Sequence, residues 1–427
     1  MLASAFAALL AAASPPSAVL APLPALYPSL EATYQELHRS PELSLQETKT
    51  AAKLAAKLRD LGYEVTTGVG GNGVVGVLRN GKGPTVLLRT ELDALPVKEE
   101  TGLAYASTVT AAGPGGDAVP VMHACGHDVH MTSWLGAATL LAKARDRWSG
   151  TLVLMGQPAE EVVRGARAMI DAGLLTRFPR PDYAIAIHDH PWLRAGQVAV
   201  TAGPSLAAVD TVELVVHGRG GHGAAPQLTI DPVLIASRVV VALQGIVARE
   251  LNPLDPAVVT VGSIHGGTKS NIIPDDVKLQ LTVRSFKPEV QKHLLDAIAR
   301  VAKGEAMASG APEPTVTVTP DSARPLVNDP KLSERLRGAL ARGLGEDAIA
   351  QMPPLMVSED FSELGYAGIP AVQVWVGASR DEAAAEAARV GKAPGLHTAR
   401  FAPDVAPTLR TGVATFTIGA LELLGRR

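Results

Sequence analysis

Thr85-Val86-Leu87-Leu88 and Thr151-Leu152-Val153-Leu154-Met155 are short apolar runs, and residues 130–144 between them carry apolar side chains at the three- and four-residue spacing of a helix. Buried strand, helix and buried strand in succession predict an α/β domain with a mostly parallel sheet, because parallel strands need a crossover that covers a face. Working outward, 74–78 reads as another strand, and 29–39 and 46–61 read as helices. The expected architecture is an α/β/α sandwich with its chemistry at strand ends, where such sheets place their sites.

The rhythm changes near Ala207. Strand at 211–216, helix at 231–249, strands at 257–264 and 277–284, helix at 288–308 and strand at 315–319 give the order β-α-β-β-α-β, the ferredoxin-like arrangement. This predicts a lid domain at 206–321 inserted into an α/β domain made of 22–205 and 322–427. Residues 1–21 hold an apolar run followed by Ser14-Pro15-Pro16, without Lys or Arg. About a dozen apolar residues fall short of the roughly 20 that span a bilayer. They read as a signal peptide lacking its basic start, and so predict a periplasmic or secreted protein, or a cytoplasmic one if the leader is kept. No other segment reads as a membrane span.

Lys and Arg number 39 against 42 for Asp and Glu, a formal charge of −3 without blocks of one sign, so nothing marks a nucleic-acid partner. The single cysteine, Cys125, excludes an intramolecular disulfide. Two G-x-G-x-x-G segments, Gly68–Gly73 and Gly218–Gly223, run into a strand and into Ala224-Ala225-Pro226. Neither opens a helix, so both read as turns that need positive φ rather than as dinucleotide sites.

Cys125 lies within Met122-His123-Ala124-Cys125-Gly126-His127-Asp128-Val129-His130. Thiolate and imidazole are borderline-soft ligands for transition ions, and Gly126 lets the chain turn tightly enough for Cys125 and His127 to converge. After the strand at 151–155 comes Gln157-Pro158-Ala159-Glu160-Glu161. Adjacent carboxylates point different ways, so one can bind a metal while the other acts as general base. His188 and His397 each end an apolar stretch. With Cys125, His127 and Glu161 they make five ligands, enough for two divalent ions that activate water for hydrolysis of an amide or related acyl bond. A cysteine hydrolase with Cys125 as nucleophile is the rival of a different class, and the Glu160/Glu161 pair counts against it.

The ordered set His38-Arg39-Ser40-Pro41-Glu42-Leu43-Ser44, Leu92-Asp93-Ala94-Leu95-Pro96, His123 to His130, Gln157 to Glu161, Gly221 to Pro226, Asn271-Ile272-Ile273-Pro274, Ser358-Glu359-Asp360-Phe361 and Leu396-His397 resembles the amidohydrolase and carboxypeptidase metallopeptidases with co-catalytic metals. Within them it is most similar to the hippurate hydrolase, N-acyl-amino-acid amidohydrolase and auxin-conjugate hydrolase subgroup. The resemblance implies metal ligands Cys125, His127, Glu161, His188 and His397, Glu160 as general base, and Asp93 orienting a ligand. It also implies His222 at the oxyanion, and Asn271 and Arg284 on a substrate carboxylate. Broader relatives carry a ligating histidine where this chain has Glu91. The expected cofactors are two ions, zinc or manganese, with cobalt and nickel accepted by the same ligand mixture. The expected substrate is a small N-acyl amino acid or short peptide, with metallocarboxypeptidase or dipeptidase as the alternative activity and a homodimer as the assembly. His190 has no role in this reading.

Overall fold

A computed structural model describes residues 16–113, 115–319 and 322–426, with nothing described for the side chain of Arg426. Most of the expected leader therefore lies outside the described residues; its tail, Pro16–Leu20, is helical. Contacts divide the chain into two compact units. The larger is residues 1–201, 329–352 and 367–427, and the smaller is 202–328 and 353–366.

The larger unit is built on a mixed nine-stranded sheet. Its centre is four mutually parallel strands in the order Trp148–Gln157, Thr85–Glu91, Tyr183–Arg194 and Ala371–Ser379. All begin or centre on apolar runs and are almost wholly buried, as a strand covered on both faces must be. The helices His127–Lys143 and Val405–Leu423 pack against each other and contribute Trp134, Leu141, Phe416 and Ile418 to the same core. The sheet is less parallel than its sequence predicts. Glu64–Val69 and Gly73–Asn80 pair antiparallel with each other, and the second lies antiparallel to Trp148–Gln157. The physical reason is the short link at 70–72: a tight turn can only join antiparallel neighbours. That link holds the first glycine motif, with Gly68, Gly70 and Gly71 at φ of 77°, 65° and 101°.

The smaller unit runs Ala208–His217, Pro232–Gly245, Ala257–His265, Asp276–Ser285, Pro288–Ala308 and Thr315–Val318, that is β-α-β-β-α-β. The four strands of this run form an antiparallel sheet in the order second, third, first, fourth. Alternating residues Val212, Leu214 and Val216 meet Ile235, Val239, Leu294 and Ile298 from the two helices to make a separate core. The second glycine motif does not need positive φ as expected. Its glycines serve close approach instead: a Cβ on Gly218 would lie 2.3 Å from the Ile230 carbonyl oxygen, and one on Gly220 2.6 Å from that of Ile273.

Among the described residues, Pro232–Glu250 is long and apolar enough to cross a membrane by composition. Its Ile235, Ala236, Val239, Leu243 and Ile246 are buried in the smaller unit's core, the stripe expected of an amphipathic core helix.

Candidate metal centre and its supports

The parallel register sets Glu91 beside Gln157, so two central strands release the chain at the same end of the sheet. Asp93 follows one of them, and Glu160 and Glu161 follow the other. His188 lies on the next strand, opposite Trp375. Cys125 and Gly126 close the loop that enters the helix His127–Lys143. Gly126 is left-handed at φ 76°, and a Cβ there would sit 2.2 Å from Asp189 Oδ1, so both backbone and space demand glycine. His397 arrives from far along the chain, held by its backbone N–H on the Ala124 carbonyl at 2.8 Å.

These side chains converge. Cys125 Sγ lies 3.5 Å from His188 Nε2 and 3.2 Å from His397 Nε2. His397 Nε2 is 3.5 Å from Glu161 Oε2, and His127 Nε2 is 3.8 Å from both Glu160 Oε2 and Glu161 Oε1. Two trios, Cys125/His127/His188 and Cys125/Glu161/His397, each hold their donor atoms within 4.8 Å of one another, and a third joins His127, Glu160 and Glu161. His127 Nδ1 donates to the Asp93 carbonyl at 2.8 Å, and His188 Nδ1 to the Asp189 carbonyl at 2.7 Å. A carbonyl can only accept, so each ring spends its Nδ1–H on the backbone and turns Nε2 to the site.

The electrostatics also call for a cation. Burial, then the charges of Glu161 and Glu160, push the Cys125 thiol well above its ordinary range. Burial opposes a proton on His127, yet Asp93, Glu91 and Glu161 outweigh it and raise the ring to about 10. His127 Nε2 is buried without a hydrogen-bond partner, which is costly unless a ligand takes the lone pair. A divalent ion reverses each of these penalties by deprotonating the thiol and occupying the imidazole. The residues present therefore fit two divalent ions.

The carboxylate pair stands on a loop closed upon itself. Arg164 N and Gly165 N both donate to the Ala159 carbonyl, and Val163 N to that of Glu160. A Cβ on Gly165 would come within 1.6 Å of the Pro158 carbonyl oxygen. Asp93 Oδ2 accepts from the Glu161 backbone N–H at 2.9 Å and from the Ser44 hydroxyl at 2.7 Å. Asp93 thus touches two candidate ligands, His127 through its carbonyl and Glu161 through its carboxylate.

Behind the centre lies a buried network with no role in the sequence reading. Arg89, entirely buried, donates through Nε to Gln157 Oε1 at 2.8 Å and pairs with Glu91. Glu91 Oε2 meets His130 Nδ1 at 3.0 Å, and His130 Nε2 lies 3.1 Å from Asp189 Oδ1. Burial would raise the Glu91 pKa, but Arg89 and then His130 hold it well below the usual carboxylate range. Glu91 is thus a buried carboxylate held beside a fixed guanidinium. His38, quoted earlier only within a motif, links Asp128 at 2.7 Å to Glu99 at 3.0 Å. His123 is a core residue, lowered to about 4 by burial. His190, also lowered to about 4 by burial, packs edge-on to Trp192 and Trp375.

In the smaller unit, His222 pairs with Ile272 in a two-residue ladder, and Gly223 N donates to the Asn271 carbonyl, so His222 and Asn271 are neighbours. His222 Nδ1 accepts from Ala224 N at 3.0 Å, which leaves its Nε2–H as the donor. Arg284 is half-buried and donates to Thr282 Oγ1 and Ser358 Oγ, each at 3.1 Å.

The profile of peptidase family M20/M25/M40 matches residues 87–396. The chain belongs to this family. A hippurate hydrolase of Campylobacter jejuni is 37% identical over 329 residues, 76% of this chain and 82% of that protein. A thermostable carboxypeptidase of Saccharolobus solfataricus is 39% identical over 332 residues, 77% of this chain and 80% of its own. Among solved structures, the Bacillus subtilis YXEP protein, described as a dinuclear metal binding peptidase of the M20 family, matches with a TM-score of 0.75 and 30% identity, covering 94% of this chain and all of that one. Like its relatives, this M20-family chain is a hydrolase of amide bonds.

Proposed function

We propose that the protein is a metal-dependent amidohydrolase that cleaves N-acyl amino acids or related conjugates to an acid and an amino acid. The observation that carries this is the pair of donor trios sharing Cys125 with Glu160 beside them. Cys125, His127, Glu161, His188 and His397 would hold two ions, zinc or manganese. Such ions when bound polarise the acyl carbonyl and lower the pKa of water. Glu160 takes the proton of the attacking water and hands it to the departing amine. Asp93 keeps His127 and Glu161 aimed. His222 donates through Nε2–H to the carbonyl oxygen as charge develops, and Asn271 and Arg284 bind the substrate carboxylate. In the same reading the smaller unit is a ferredoxin-like lid through which two copies pair, and the larger is an α/β/α sandwich.

The carboxypeptidase likeness supports a second activity, removal of a residue from a short peptide with a free amine. Release of amino acid from matched N-acyl amino acids and dipeptides, by chelated protein and protein resupplied with manganese or zinc, separates the two. Metal-restored release from blocked substrates alone is the expected profile. Release that survives chelation would overturn the metal mechanism.

We also infer export. Val19 and Leu23 are buried with Leu140 and Val413, so removing the chain through Ala21 would strip Val19 from that cluster. Cleavage within or just after Ala11–Ala13 keeps it. N-terminal sequencing of the mature protein is expected to begin near Ser14, and a mature Met1 would end the export reading.

A further inference from the structure

Glu47 is wholly buried, and no candidate metal ligand named above is its hydrogen-bond partner. It directly precedes the helix Thr48–Asp60 but does not cap it. That task falls to Glu42, whose carboxylate accepts from Lys49 N at 3.2 Å and Thr50 N at 2.7 Å. Glu47 turns the other way. Its Oε1 accepts from the backbone N–H groups of Leu45 and Ala159, each at 2.8 Å, and its Oε2 from Asn72 Nδ2 at 3.0 Å.

Both backbone partners are unusual. Leu45 and Ala159 are non-glycine residues in left-handed backbone, at φ of 69° and 54°, where a Cβ is crowded and only surrounding structure keeps the residue. Ala159 directly precedes Glu160. The carboxylate loop is thus tied from outside by two buried acids: Glu47 on the N–H of Ala159 and Asp93 on the N–H of Glu161. Glu160 stands between the two ties.

We propose that Glu47 is a positioning residue for Glu160, holding Ala159 left-handed so that the Glu160 carboxylate stays aimed at its substrate proton. The proposal rests on the reading of Glu160 as general base. An untied Ala159 relaxes toward ordinary backbone and swings Glu160 away, whereas Glu161 keeps its hold on Asp93. Rate is therefore lost with little change in metal or substrate binding.

Three variants test it. Glu47→Ala is expected to lower kcat on metal-loaded enzyme by about tenfold to a hundredfold, as a misplaced catalytic group does, with KM within about twofold. Metal content should not change. In metal-free protein, amide hydrogen exchange across residues 158–165 should accelerate at least about tenfold. Glu47→Gln keeps an oxygen for the two N–H groups and should stay within about threefold of wild-type kcat. Adding Ala159→Gly to Glu47→Ala should return several-fold, because glycine holds positive φ without a tie.

Wild-type kcat in Glu47→Ala, or no recovery from Ala159→Gly, would overturn the proposal. If Glu47→Ala does not fold, the part-exposed Asn72→Ala, which loosens the same carboxylate, should lower kcat about threefold at constant KM; an unchanged kcat there would also overturn it. Glu160→Gln is run alongside. Full activity in that variant defeats the base assignment itself, whereas a dead Glu160→Gln beside a fully active Glu47→Ala defeats only the role of Glu47.

Discussion

Glu160→Gln is expected to lower kcat by about 10²- to 10⁴-fold, the range that a positioned general base supplies, while the protein keeps its metal. The two outcomes together are the informative result. Glutamine preserves the volume and most of the polar reach of Glu160 but cannot take a proton at neutral pH. Two donor trios, Cys125/His127/His188 and Cys125/Glu161/His397, remain complete without Glu160. Metal analysis after dialysis separates base from ligand: a variant that loses rate and one equivalent of metal would make Glu160 a ligand, because His127, Glu160 and Glu161 also form a close group. Unchanged rate would remove Glu160 from the mechanism.

Arg89→Met is expected to destabilise the metal-free protein by about 3–5 kcal/mol, the usual result of deleting one member of a buried ion pair. Arg89 and Glu91 are both inaccessible to solvent. Removing the guanidinium strands a carboxylate whose charge Arg89 is the leading influence in maintaining against burial. It also removes the donor to Gln157 at the end of the neighbouring strand. Urea unfolding measures the loss. Arg89→Met combined with Glu91→Gln should cost clearly less than the sum of the single changes, since the double variant leaves no unpaired charge. Additive losses would show that Arg89 acts by packing alone. The network reaches His130 and Asp189, and Asp189 in turn fills the space against Gly126. A surviving Arg89→Met protein should therefore also bind metal more weakly.

Much of this could be read along the chain. Each strand of the parallel centre is a local apolar run, and each large helix carries local periodicity. Cys125, Gly126 and His127 are neighbours in sequence, and so are Glu160 and Glu161. The site residues that escaped the reading have no local signature. Arg89 looks like an ordinary polar residue at a strand end, and Glu47 looks like one more acid before a helix. Their meaning comes from burial, and burial of a charge at one position depends on chain that arrives from elsewhere.

The sequence by itself determined the alternation of helices and strands, the β-α-β-β-α-β order of the smaller unit, the ligand-type residues and the chemistry they can support, because each depends on side-chain type at short spacing. The tertiary structure alone decided that the outer strands of the large sheet run antiparallel and that residues 353–366 pack with the smaller unit. It alone brought His397 to within 3.2 Å of Cys125, and it alone turned Glu47 away from its own helix onto the loop that carries Glu160. Those outcomes are contacts between distant segments, and distant contacts are chosen by packing and by the need to pair every buried polar group, which a one-dimensional pattern does not record.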